Sequence, residues 1–151
     1  MITADEKRTT LLTLYPLFKE EVYRRREQMM RWTAIGAGSL FAILLLVLLT
    51  PAARQLTVAS RVLLCSGVLL LTTTFVMLIL QQRHRHRQAK HTLIELEKAL
   101  GLFEPGPFLN HRPLYPDRWQ TDWTQDRSTA LLLTVLGFMA ILTLSAALLI
   151  S

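Results

Sequence analysis

Residues 32–53 read WTAIGAGSLFAILLLVLLTPAA, with no charged side chain anywhere in the run. A bilayer core ~30 Å thick is crossed by about 20 apolar residues at a rise of 1.5 Å each, and this run is long enough. Two more runs are of the same kind. Val62 to Gln82 and Ser128 to Ser151 also lack Asp, Glu, Lys, Arg and His. Three such runs in 151 residues predict an all-α, polytopic membrane protein. Its transmembrane helices are expected over 32–50, 60–82 and 128–150.

The charges lie in what remains. Charged residues are 19% of the chain, yet they occupy only residues 1–31, the short turn with Arg54 and Arg61, and residues 83–127. A soluble protein mixes charge into every amphipathic helix. The segments outside the runs are too small for a sizeable soluble core, so 1–151 is read as a single membrane domain. Cys65 is the only cysteine, which excludes an intrachain disulfide and a CxxC metal site. No cleavable leader is expected, because Asp5, Glu6, Glu20, Glu21 and Glu27 interrupt the basic residues ahead of the first run.

Charge also sets the expected orientation. Seven Lys and Arg precede the first span, two lie in the first turn, and eight lie between spans two and three. Positive flanks stay in the cytoplasm. The N-terminus and the long loop are therefore expected inside, the first turn and the C-terminus outside. Trp32, Trp119 and Trp123 fall near the expected interfaces, where indole rings are favoured; loop packing explains Trp119 and Trp123 equally well.

Two spans should not stop at the interface. Residues 14–32, LYPLFKEEVYRRREQMMRW, contain no glycine. Thr13 is the expected N-cap and Pro16 the tolerated first-turn proline. Leu11, Tyr15, Phe18, Val22 and Met29 recur at three, four or seven positions, with Arg25 interrupting the seam. Residues 81–101, QQRHRHRQAKHTLIELEKALG, hold no proline and no glycine before Gly101, the expected C′ stop. A cytoplasmic helix 14–32 thus continues into the first span, and the second span continues to residue 100. The two form an antiparallel hairpin turned by TPAARQ, with Pro51 ending the first. Phe18 is fourteen positions from Trp32, and Ile94 is fourteen from Leu80. At 1.5 Å per residue the stripe Tyr15, Phe18, Val22 reaches the depth of the stripe Leu93, Leu96, Leu100, and each can bury the other.

Residues 101–127 form a return segment of a different kind. Pro105, Gly106, Pro107, Pro113 and Pro116 forbid a regular helix over most of it. Phe103, Phe108, Leu114 and Tyr115 are expected to pack along the helical stalk. Asp126 or Ser128 is the expected cap of the third span.

Several side-chain groups are candidates for function. Arg24, Arg25, Arg26, Arg83, Arg85 and Arg87 form a basic belt at the expected headgroup level, suited to anionic lipid or to a vestibule that collects anions. It lacks interleaved aromatics, so no nucleic acid is expected. His84 and His86 lie two positions apart and point to different faces among arginines, so no metal site is expected. There is no G-x-S-x-G, P-loop or HExxH pattern, and no Asp, Glu, Lys, Arg or His lies inside the three charge-free runs. The chain is expected to be neither an enzyme nor a proton-coupled carrier, and to need no cofactor. Small and hydroxylated residues remain: Ala34, Gly38 and Ala42 in the first span, Thr72, Thr73 and Thr74 in the second, Thr134 and Gly137 in the third. Small faces let helices approach closely. They serve packing within one chain or a homo-oligomer whose threonines face a narrow pore. A protein partner docking on the stalk and residues 102–127 is the alternative.

The layout of residues 14–100 resembles the SLATT class of small bacterial membrane proteins: a cytoplasmic helix, two spans joined by a short turn, and a cytoplasmic helix continuing the second span. The third run lies outside the resemblance. The resemblance implies a bacterial inner-membrane location and a pore-forming or membrane-disrupting effector, and it assigns no site residue.

Overall fold

A computed structural model describes residues 4–51, 57–106, 109–122 and 127–149. The architecture is all-helical: α1 (Ala4–Leu49), α2 (Val58–Ala99), the single turn α3 (Trp119–Asp122) and α4 (Arg127–Leu149). Helices α1, α2 and α4 are each long and apolar enough to cross a bilayer.

Helix α1 starts ten residues before the expected one. Asp5 and Glu6 sit in its first turn, where acidic groups complement the helix dipole. Thr13 is not an N-cap: its hydroxyl donates to the Thr9 carbonyl at 2.9 Å, as Thr10 does to Glu6 at 2.8 Å. A hydroxyl that can cap a helix can equally bond back one turn inside it. Pro16 therefore lies within the helix, on an exposed position.

Helix α2 is capped at both ends. The Thr57 hydroxyl accepts the Ser60 backbone N–H at 3.3 Å, an N-cap bond. At the other end Gly101 adopts φ +72°. Its N–H donates to the Lys98 carbonyl at 2.9 Å, and the Leu102 N–H to the Glu97 carbonyl at 3.1 Å. That pair of bonds is a Schellman motif, which needs a left-handed residue at C′ and so favours glycine there. The cap of α4 falls partly outside the described residues: Asp126 is not among them, and Ser128 lies inside the helix.

The chain divides into two compact units. One comprises Met1–Glu27 with Arg83–Asp126, the other Gln28–Gln82 with Arg127–Ser151. In the second unit the core is Leu40, Val68, Phe75, Ile79, Leu136 and Ala140. In the first, Val22, Leu93, Ile94, Leu96, Leu102 and Phe103 are buried.

Buried positions keep a seven-residue repeat. On α1 they fall at Val22, Met29, Thr33, Gly36, Leu40 and Val47; on α4 at Thr129, Leu136, Ala140, Thr143 and Ala147. Helix α2 carries Val68, Phe75, Ile79, His86 and Leu93 in the same spacing. A mean period of 3.5 is that of helices whose seams stay in contact over several turns. Long helices with one narrow seam bury little of themselves, and only 22%, 17% and 22% of the most apolar stretches of α1, α2 and α4 are buried.

Candidate functional site

In the apolar unit the helices approach closely at Gly36. A Cβ placed there would lie 2.9 Å from Phe75 Cγ and 3.0 Å from Leu136 Cδ1, so α1, α2 and α4 converge on a backbone without a side chain. Trp32 packs on the same ring, with centroids 6.4 Å apart. Polar groups in this core satisfy themselves. The Thr143 hydroxyl, fully buried, donates to the Met139 carbonyl at 2.8 Å and reaches the Leu40 carbonyl across the helix interface at 3.3 Å. It is turned into the core.

The small-residue row stands elsewhere. Ala34, Gly38 and Ala42 are exposed, and nothing lies within 4 Å of a Cβ built at Gly38. Gly137 is half-buried with equally open space at its Cβ position. Thr73, Thr74 and Thr134 are exposed and Thr72 is half-buried. All four hydroxyls donate to the carbonyl four residues back, at 2.7 to 2.9 Å. Their donor capacity is used, and each still offers acceptor lone pairs. The row and these hydroxyls are thus available to something outside the chain.

The arginines divide as well. Arg24, Arg26, Arg85 and Arg87 are exposed, and Arg83 is half-buried. Arg25 is engaged by Glu21 one turn back, through Nε at 2.7 Å and Nη2 at 2.6 Å. That pairing is how a charged residue sits on the α1 seam between Val22 and Met29. His86 is buried on the α2 seam, while His84, His91 and His111 are exposed. Among the described residues no three His, Cys, Asp or Glu side chains are grouped to hold a metal ion.

The charged unit contains a polar cluster that sequence reasoning missed. Tyr15 on α1 donates its hydroxyl to Glu97 Oε1 on α2 at 3.3 Å, and the same hydroxyl lies 3.1 Å from that of Tyr115 in the return segment. Glu97 is only 5% exposed. Burial pushes its carboxyl up from the ordinary range, while the Tyr15 hydrogen bond and the Lys19 charge oppose that shift. The Tyr15 phenol is also pushed up, by burial first and then by Tyr115. Lys19 Nζ lies over the Tyr15 ring at 5.8 Å.

The return segment is brought to this cluster by its own packing. The Schellman turn reverses the chain, and the Tyr115 N–H then donates to the Leu102 carbonyl at 3.0 Å. Phe103 meets Tyr115 edge-on at 5.9 Å, and Tyr115 meets Trp119 at 5.2 Å. Phe103 is buried and Tyr115 half-buried, but Leu114 is exposed, contrary to the expected packing. Phe108 and Trp123 lie outside the described residues. Phe18 is half-buried beside Val22, and Leu100 is half-buried beyond Leu93 and Leu96.

A signal for both missed residues exists. His86 lies seven positions after Ile79 and seven before Leu93, and Glu97 four after Leu93. Carrying the seam of the second span through the charged stretch would have marked both as buried. No protein-family model, no curated protein and no solved structure matches the chain.

Proposed function

We propose that this is a multi-pass membrane protein that assembles with copies of itself into a conducting or membrane-disrupting structure. Helices α1, α2 and α4 cross the bilayer, and the charged unit lies at the cytoplasmic face. The observation that carries this reading is the exposed row Ala34, Gly38, Ala42 on a helix whose apolar stretch is only 22% buried. Lipid covers apolar surface well, but it gains nothing special from a smooth small-residue face; a second helix does, because backbones approach closely there. The exposed threonines Thr73, Thr74 and Thr134 supply acceptor oxygens that suit a narrow lining. Arg24, Arg26, Arg85 and Arg87 contact anionic headgroups and hold the orientation. The SLATT-like layout of residues 14–100 supports an effector of the bacterial inner membrane, held or released by its cytoplasmic helices.

The test is oligomeric state and conductance on the same preparation. Native mass spectrometry from detergent should find a defined oligomer, and planar-bilayer recording should find discrete conductance. Gly38→Leu should dissociate the oligomer and remove the current. A monomer that never conducts would refute the proposal.

A second reading rests on Leu109, Leu114 and Trp119, exposed at 47%, 41% and 38% on the return segment. They would dock a larger protein, making the chain a non-catalytic scaffold or accessory subunit. A stoichiometric partner lost on deleting residues 103–123, from a protein that does not conduct, would favour it.

A further inference from the structure

The polar cluster of the charged unit joins three parts of the chain through one phenol. Tyr15 comes from α1, Glu97 from α2 and Tyr115 from the return segment, at 3.3 and 3.1 Å. Van der Waals packing could hold these parts with no carboxyl at all. Here the acidic residue Glu97, only 5% exposed, stands among buried apolar positions of the chain: Leu93, Leu96 and Leu102 are buried near it in the sequence, and Phe103 is buried next to the turn. A carboxylate in such a place is costly, whereas a neutral carboxylic acid is far less so.

We propose that Glu97 is a proton-operated fastening, closed on Tyr15 and Tyr115 when the carboxyl is protonated and loosened when it is ionised. The hydrogen-bond chain suits both states while changing direction. With an ionised carboxyl, Tyr115 donates to Tyr15 and Tyr15 donates to Glu97. With a protonated carboxyl, Glu97 can donate to Tyr15, and Tyr15 to Tyr115. Desolvation makes the difference, because opening lets water reach the carboxylate and relieves its burial.

Charged and titratable groups face Glu97 from each element of the cluster. From α1, Tyr15 and Lys19 face the carboxyl; from the return segment, Tyr115 closes the chain. On α2, Glu95 is exposed and paired with Lys98 at 3.5 Å. Lys19 is exposed, so its attraction for the carboxylate is screened by water, and burial prevails.

The sign follows from linkage. The closed state raises the carboxyl above its ordinary range, so it binds the proton more tightly than the open state does. Closure is favoured most below the ordinary carboxyl range. It weakens as pH rises from there through the raised value, and is constant above it. This fastening does not rest on oligomerisation or conductance and stands or falls apart from them.

The experiment uses the full chain in lipid nanodiscs with Cys65→Ser, spin-labelled at Leu12→Cys and Arg112→Cys, both exposed and both in this unit. Electron–electron distance distributions are recorded from about pH 4 to about pH 9, which brackets carboxyl and histidine titration. A single short-distance population is expected at the acid end. A second, longer or broader population should grow with pH, the closed-to-open ratio falling about tenfold or more. Glu97→Gln, neutral at every pH, should keep the short population throughout. A distribution that does not change with pH in the unsubstituted cluster would overturn the proposal. So would a Glu97→Gln protein that follows the same titration, since a histidine would then be responsible.

Discussion

Helices α1 and α2 run through both compact units, so one pair of helices can be compared with itself. In the apolar unit the seam is Gly36, Leu40, Val68, Phe75 and Ile79, and α4 joins it through Leu136 and Ala140. In the charged unit the seam continues through Tyr15, Val22, Leu93 and Leu96, but it also contains His86 and Glu97, and the return segment joins it. The division falls at Glu27/Gln28 and Gln82/Arg83, and Gln82 is the last residue of the second charge-free run. Buried positions recur at heptad spacing in both units; what differs is the charge on the outer face and how polar groups are admitted to the inner one. The apolar unit admits neutral hydroxyls, Thr33 and Thr143 bonding back to their own helix and Thr129 and Thr143 reaching α1. The charged unit admits a carboxyl that must find a partner on another element.

That difference can be broken at specific residues. The largest effect is expected from Gly36→Val, which drives a branched side chain against Phe75 and Leu136 and should cost about 1–3 kcal/mol. Thermal unfolding in detergent should show a clear drop in midpoint. Gly38→Val, two positions on, meets open space within the chain and, compared in a detergent that holds both proteins monomeric, should leave that midpoint nearly unchanged. Equal effects from the two would mean that Gly36 is not the close approach. Next comes Tyr15→Phe, which removes the hydroxyl linking Glu97 to Tyr115 and should cost about 1 kcal/mol. Hydrogen exchange at the Tyr115 amide should accelerate about fivefold, with the amides around Leu40 and Leu136 unaffected. The same substitution removes a bond that lowers the Glu97 carboxyl, so its titration should move to higher pH. The smallest effect is expected from Arg25→Gln. It breaks an i,i+4 pair with Glu21, worth about 0.3–0.5 kcal/mol, and added salt should shrink the difference from the parent protein.

Much of this architecture was legible in the residues. The three apolar helices followed from the absence of charge, and Gly101 from its place after a glycine-free run. The register was legible too. Tyr15 is seventeen positions from Trp32 and Glu97 seventeen from Leu80, and these two residues meet. The N-terminus of α1 was not legible, because Thr13 offers the same oxygen to a cap and to a back-bond, and Pro16 on an exposed position does not stop the helix. Gly36 and Gly38 could not be told apart by composition. Both belong to a small-residue stretch, and only the phase shared with Met29 and Leu40 assigns Gly36 to the core. Glu97 was hidden by its charge, which reads as solvent-facing unless the heptad is followed through it.

The proposed arrangement requires a bilayer to hold α1, α2 and α4, with residues Met1–Glu27 and Arg83–Asp126 at one face. Single cysteines introduced at Leu12, Arg112 and Thr57 in a Cys65→Ser background, probed with a membrane-impermeant maleimide in vesicles of known sidedness, test this directly. Thr57→Cys should react only from the extracytoplasmic side, and Leu12→Cys and Arg112→Cys only from the cytoplasmic side. Labelling of all three from one side, or of Leu12→Cys and Arg112→Cys from opposite sides, would contradict it.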